Sequence, residues 1–168
     1  MEGSRVFEDI RQGLAVALSH GCQLILNDFW REAIAAGADF VHLGQQDLAV
    51  ADLAAINRAG LRLGVSTHDE KELATALAAE PEYIALGPVF ETKLKVMPWA
   101  PQGLGRVREW KARVGTLPLV AIGGLTPERA AAVLAAGAAS LAVITDFMTA
   151  ADPDARIRQW LDLLADRH

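Results

Sequence analysis

The sequence predicts an α/β fold built on a parallel sheet, and three observations lead there. Short apolar runs alternate with Ala/Leu-rich amphipathic stretches; the runs are almost continuously apolar, as strands covered on both faces require; and each run ends in a polar tip. An open doubly wound sheet and a closed barrel both satisfy this pattern. With 168 residues, 52% hydrophobic and 22% charged, the chain is expected to form one globular domain over 1–168 with a sizeable core.

The opening stretch from Glu8 to Leu18 carries Ile10, Leu14, Val16, Ala17 and Leu18 at helical spacing, and His20-Gly21 then supplies a stop. The first strand is expected at Gln23–Leu26, cut off by Asn27-Asp28. Five further strands are expected at Phe40–Leu43, Leu61–Val65, Tyr83–Leu86, Leu119–Ile122 and Leu141–Ile144, all too short for typical globular helices. Lys71–Ala79 and Pro127–Ala136 read as covering helices, and Asp154–Asp166 as the last one. Strands and helices are expected to alternate strictly, with Gly37 and Gly137 in Ala-Gly-Ala contexts marking equivalent helix-to-strand turns. A closed eight-stranded barrel usually needs about 250 residues, so six strands after an opening helix suggest that roughly two β/α units are missing ahead of it.

Composition excludes several function classes. A net charge of -5 argues against general nucleic-acid binding, which needs a concentrated basic face. The single Cys22 rules out an intrachain disulfide and a thiol-rich zinc site, and fits a reducing cytoplasm. No signal peptide is evident at Met1–Asp9, and no apolar run is long enough to span a membrane.

Ligand sites in parallel β/α folds gather where strands end, so the tips are the place to look for chemistry. Asn27-Asp28 ends the first strand and Gly44-Gln45-Gln46-Asp47 follows the second, with the aspartates nineteen residues apart, near one β/α repeat. Neighbouring strands lie about 5 Å apart, so Asp28 and Asp47 should meet at one rim and form an Mg²⁺ site completed by substrate oxygens and water. Helix capping is the competing role for either aspartate alone. Ser66-Thr67-His68-Asp69 ends the third strand; Ser66 is the candidate anion ligand, Thr67 or Asp69 a candidate cap, and His68 a structural histidine. The irregular stretch Gly87–Gln102 carries Thr92, Lys93 and Lys95, and Lys95 is placed to clamp a diphosphate or simply to face solvent. Gly123-Gly124 and Ile144-Thr145 end the last two strands, where barrels often bind phosphate.

These residues resemble the thiamine phosphate synthase family from about Arg11 to the final helix. The resemblance is carried by Leu26-Asn27-Asp28-Phe29-Trp30-Arg31, Val41-His42-Leu43-Gly44-Gln45-Gln46-Asp47-Leu48, Gly64-Val65-Ser66-Thr67-His68, Pro101-Gln102-Gly103 and Ala121-Ile122-Gly123-Gly124. It implies a (β/α)8 TIM-barrel type of fold, with the first two strands and first helix absent from this chain. A Gln-x-Arg-x-Lys element on the family's second strand would also lie ahead of Met1. It implies a transferase that joins hydroxymethylpyrimidine diphosphate to thiazole phosphate, giving thiamine phosphate and diphosphate with Mg²⁺.

Carried over residue by residue, the resemblance gives Asp28 and Asp47 the metal, and Asn27, Ser66 and Lys95 the pyrimidine diphosphate. Thr92, Lys93, Leu94, Gly124, Ile144 and Thr145 line the thiazole phosphate site, and Lys95 and Ser66 are the catalytic candidates. Leu94 stands where the family has a hydroxyl residue and Thr145 where it has serine, while Glu91 and Asp146 are expected to add negative charge near the phosphate. Two other functions fit a similar sequence: a non-catalytic phosphate-binding remnant and a thiazole tautomerase-like enzyme, the latter usually lacking the metal aspartates. Strand edges at Gln23–Leu26 and Leu141–Ile144 are expected to drive self-association.

Overall fold

The computed structural model describes residues 2–92 and 99–165. The chain divides into two compact units, Met1–Tyr83 and Ile84–His168.

In the first unit, α1 (Glu2–Ser19) leads to β1 (Leu26–Asn27), α2 (Trp30–Ala36), β2 (Phe40–Leu43), α3 (Gln45–Leu48), α4 (Leu53–Arg58), β3 (Arg62–Thr67) and α5 (Glu70–Ala78). The strands run parallel in the order β1-β2-β3. Asn27 is in register with His42, and His42 with Gly64. The core is the buried side of these runs, with Val41, Leu43 and Val65 fully enclosed and Ala33, Leu73 and Ala76 packed beneath them from α2 and α5.

Local chemistry sets the helix boundaries. Asp52 caps α4 by accepting the Ala55 N–H at 2.9 Å, and Asp69 caps α5 by accepting that of Glu72 at 2.8 Å. Gly37, in the left-handed region at φ 71°, closes α2 and turns the chain into β2.

The second unit takes up β4 (Tyr83–Leu86) from its second residue onward. It continues through α6 (Gly103–Val114), β5 (Leu119–Ile122), α7 (Pro127–Ala135), β6 (Ser140–Ala142), α8 (Thr145–Met148) and α9 (Pro153–Ala165). Here too the strands are parallel, β4 against β5 and β5 against β6. Trp110 of α6 is fully buried beside Val107 and Leu119, with the Arg106 guanidinium 4.8 Å from its ring centroid. α7 starts on Pro127, whose missing N–H costs nothing at that position.

Several details differ from the expected pattern. The first strand lies at Leu26–Asn27 rather than Gln23–Leu26, with the Gln23 side chain turned to Asp39, 2.8 Å away, and to Arg62. β3 runs from Arg62 to Thr67 rather than Leu61–Val65, so Ser66 lies within the strand, and β6 is Ser140–Ala142 rather than Leu141–Ile144. Strict alternation also fails, since the short helices α3 and α8 follow strand tips directly and another helix comes after each.

Trp110→Ala should cost about 3–5 kcal/mol through lost burial and the cavity left behind. Chemical denaturation would show this as a lower midpoint with little change in slope.

Candidate active site

In the first unit the polar residues at the strand tips form two arms that meet on β2. One arm is the carboxylate pair. Asp28 adopts φ 70°, a conformation that only Gly, Asn and Asp visit readily. Its N–H donates to the His42 carbonyl at 2.9 Å, and its carbonyl accepts the Trp30 N–H at 2.9 Å. Turned this way, its carboxylate accepts from Asn27 Nδ2 and, at 3.4 Å, from the Gly44 N–H. Asp47 reaches the same place from α3, near enough to share a proton with Asp28.

Burial raises the Asp28 carboxyl above the ordinary carboxylate range; the Gly44 N–H opposes this, and the negative charge and hydrogen bond of Asp47 reinforce it. Neither aspartate caps a helix: Phe29 occupies the N-cap of α2 and Gly44 that of α3. Among the described residues no further His, Cys, Asp or Glu completes a three-residue metal cluster with them.

The second arm is a hydrogen-bonded chain. Ser66 Oγ lies 2.7 Å from Nε2 of His42, and Nδ1 of His42 lies 2.8 Å from the Tyr83 hydroxyl. Gln45 Nε2 donates to the Ser66 carbonyl at 2.7 Å, which fixes the backbone beneath the hydroxyl. Burial depresses the His42 imidazole to about 4 and pushes the Tyr83 phenol up to about 12, so near neutral pH both are uncharged. His68 pairs with Glu72 through Nδ1 at 2.8 Å, and its N–H donates to the same carboxylate, consistent with a structural role. Asp69 is the cap at this turn.

In the second unit Gly123 and Gly124 follow β5 with φ of 97° and 63°. A Cβ on Gly123 would sit 2.7 Å from Pro88, and one on Gly124 would strike the Glu91 carbonyl and Phe90. The glycines thus let the loop that carries Thr92 lie directly on the tip of β5. Arg129 braces the turn by donating to the Gly124 carbonyl at 2.6 Å, with its guanidinium over Phe90. Ile144 precedes α8 and is exposed, and Thr145 opens that helix. Because Ile122 is in register with Ala142, both tips leave neighbouring strands. Lys93, Leu94 and Lys95 lie outside the described residues.

One expectation is corrected here. Asp146 does not offer a free charge to its surroundings: its carboxylate accepts from Trp160 Nε1 at 2.8 Å and faces Arg156 Nε at 3.3 Å. Reading only residues beyond each apolar run also overlooks His42 and Tyr83, and it names Gln45 at the second tip without giving it a role. A polar residue inside the run Phe40-Val41-His42-Leu43 was the available signal for the first.

A family model described as thiamine monophosphate synthase matches residues 1–147. The chain belongs to that family. Among members of the thiamine monophosphate synthase family, a thiamine-phosphate synthase of Rhizobium etli is 62% identical over 154 residues, covering 92% of this chain and 76% of the relative. One from Serratia proteamaculans is 49% identical over 160 residues, covering 95% and 76%. A solved thiamine phosphate pyrophosphorylase from Pyrococcus furiosus superposes with a TM-score of 0.80 at 26% identity, covering 98% of this chain and 77% of that one.

Two measurements test these electrostatics, with opposite signs. The raised Asp28 carboxyl binds its proton more tightly in the folded chain, so stability falls as pH rises through and above the normal aspartate range. Asp28→Asn removes that loss and tolerates the positive φ, so at pH 7 without divalent metal it should melt higher than the parent, the difference vanishing in acid. The depressed His42 instead loses stability as pH falls from about 6.5 to about 4, by on the order of 3 kcal/mol. Denaturation of His42→Gln across that window should show the slope reduced.

Proposed function

We propose that this chain is a thiamine-phosphate-forming transferase, joining hydroxymethylpyrimidine diphosphate to thiazole phosphate with release of diphosphate. Family membership and the relatives from Rhizobium etli and Serratia proteamaculans, both named for that synthase activity, support the reaction. The observation that carries the site assignment is the Asp28–Asp47 pair: two carboxylates, neither employed as a cap, held at adjoining strand tips against their mutual repulsion.

This donor set fits a hard divalent cation. Mg²⁺ takes one or two protein carboxylates and fills its remaining positions with water and substrate phosphate oxygens, so a third protein ligand is not required. Asp28 and Asp47 would hold the ion, and once bound it would offset charge gathering on the departing diphosphate.

In the reaction the bond between the pyrimidine methylene and the diphosphate oxygen breaks, its electron pair leaving with diphosphate. The thiazole nitrogen lone pair then forms the new C–N bond. No proton need leave that nitrogen, so neither a protein nucleophile nor a general base is needed. The chain's part is positioning and electrostatics. Asn27 and Ser66 would orient the diphosphate substrate, with Lys95 meeting the charge on the leaving group. Thr92, Lys93, Leu94, the Gly124 backbone, Ile144 and the Thr145 hydroxyl would receive thiazole phosphate. With Asp146 engaged by Trp160 and Arg156, less anionic repulsion opposes that phosphate.

The same reading extends to a (β/α)8 barrel as the architecture, supported by the parallel strands in each unit and the likeness to the pyrophosphorylase. It extends also to a cytoplasmic setting, consistent with the lone Cys22, and to self-association through the β1 and β6 edges. Among the described residues, no helix is long and apolar enough to cross a membrane.

Purified chain supplied with both substrates and Mg²⁺ should form thiamine phosphate. Asp28→Asn should lower kcat/KM by about a hundredfold or more while the protein stays folded. Binding of thiazole phosphate without turnover would instead favour a binding remnant, and metal-independent isomerisation of the thiazole a tautomerase.

A further inference from the structure

His42 on β2, Gly64 on β3 and Tyr83, the last residue of the first unit, lie side by side. His42 and Gly64 are register partners, and the Tyr83 ring lies across Gly64 so closely that a Cβ there would collide with ring carbons Cζ and Cε1 and stand 2.6 Å from the hydroxyl. The absent side chain at position 64 opens the space through which Tyr83 reaches His42. The two rings stack with centroids 5.5 Å apart and planes 13° from parallel, and Phe40 supports the phenol from 5.7 Å. A phenol this constrained can direct its hydroxyl at one partner, and that partner is His42 Nδ1 at 2.8 Å.

A neutral imidazole donates from one nitrogen and accepts at the other. Ser66 Oγ, at the far end of the chain, has a single hydrogen. If Nδ1 carried the proton, Nε2 would accept the Ser66 hydrogen, and the serine would present only lone pairs to a substrate oxygen. If Nε2 carries it, Ser66 accepts from histidine and its own hydrogen is free to donate to an anion. The choice is made at Nδ1, where the Tyr83 hydroxyl either donates or accepts.

We propose that Tyr83 is a positioning residue for the transfer reaction: its hydroxyl donates to Nδ1 of His42, holds the imidazole in the Nε2–H form, and thereby leaves the Ser66 hydroxyl hydrogen aimed at the diphosphate substrate. This rests on the reading of Ser66 as a substrate ligand. Gly64 is part of the same device, since any side chain there displaces the phenol. Burial keeps the phenol protonated, which preserves its ability to donate.

The experiment combines ¹⁵N NMR of the histidine rings with kinetics on Tyr83→Phe, which keeps the ring, its stacking and its fit over Gly64. Spectra are recorded on the full chain at pH 7.5 and assigned by comparison with His42→Gln. The parent should show His42 protonated at Nε2 and bare at Nδ1, and Tyr83→Phe should shift the population towards Nδ1–H. In the synthase assay Tyr83→Phe should lower kcat/KM about tenfold in the parent background and have little further effect in Ser66→Ala. An Nδ1–H tautomer in the parent overturns the proposal, as does an unchanged tautomer in Tyr83→Phe or an equal kinetic loss with and without Ser66. The tautomer needs no turnover, so a chain that makes no thiamine phosphate would count against the functional reading while the spectra still decide the role of Tyr83.

Discussion

The hydrogen bond from the Asp28 N–H to the His42 carbonyl joins the parts of the first-unit site. It carries the pairing of β1 with β2 one residue beyond the strand while the chain turns into a positive φ, so Asp28 is both the last rung of the ladder and the first residue of the turn. A left-handed backbone at a non-glycine residue costs on the order of 1 kcal/mol and persists only where its surroundings over-determine it. Here the His42 carbonyl below, the Trp30 N–H ahead and the Asn27 and Gly44 donors on the carboxylate all hold the same conformation. The result is a carboxylate directed at Asp47.

That placement works against folding in one respect. Partial burial raises the cost of ionising Asp28, and the negative charge and hydrogen bond of Asp47 add to it. The backbone geometry meets this cost with rigid elements, since β2 is anchored in the core through Phe40, Val41 and Leu43, and α3 through Leu48. A site of this kind is poorly satisfied alone and well satisfied by positive charge, so ligand binding and stability are linked: whatever neutralises the pair also stabilises the fold.

Much of this architecture is legible in the sequence because apolar runs and helix signals report directly on burial. The strands at Phe40–Leu43, Tyr83–Leu86 and Leu119–Ile122 have the expected bounds, and the helix expected at Lys71–Ala79 begins one residue early, behind its Asp69 cap. The first strand is displaced to Leu26–Asn27, and Gln23 bonds through its side chain to Asp39 and Arg62, long-range polar contacts that the pattern of apolar residues does not encode. Asp28 and Asp47 are visible as polar residues after apolar runs. His42 is not, since it lies inside a strand, and its importance depends on a Tyr83 hydroxyl forty-one residues away that reaches it only because position 64 is glycine.

In the second unit Gly123-Gly124 has a packing reason to be glycine as well. The space a side chain would need at either position is taken by the chain's own Pro88, Phe90 and Glu91. Their immediate structural role is to seat the Thr92 loop on β5, in a turn that Arg129 braces by donating to the Gly124 carbonyl. Asp146 makes the converse point. Its charge counts against phosphate binding only when read from the sequence, because in the folded unit Trp160 and Arg156 of α9 take up its carboxylate. Net charge near a site is therefore decided by which neighbours the fold supplies, and α9, distant in sequence from every strand tip except that of β6, has a part in the electrostatics of the Thr145 turn.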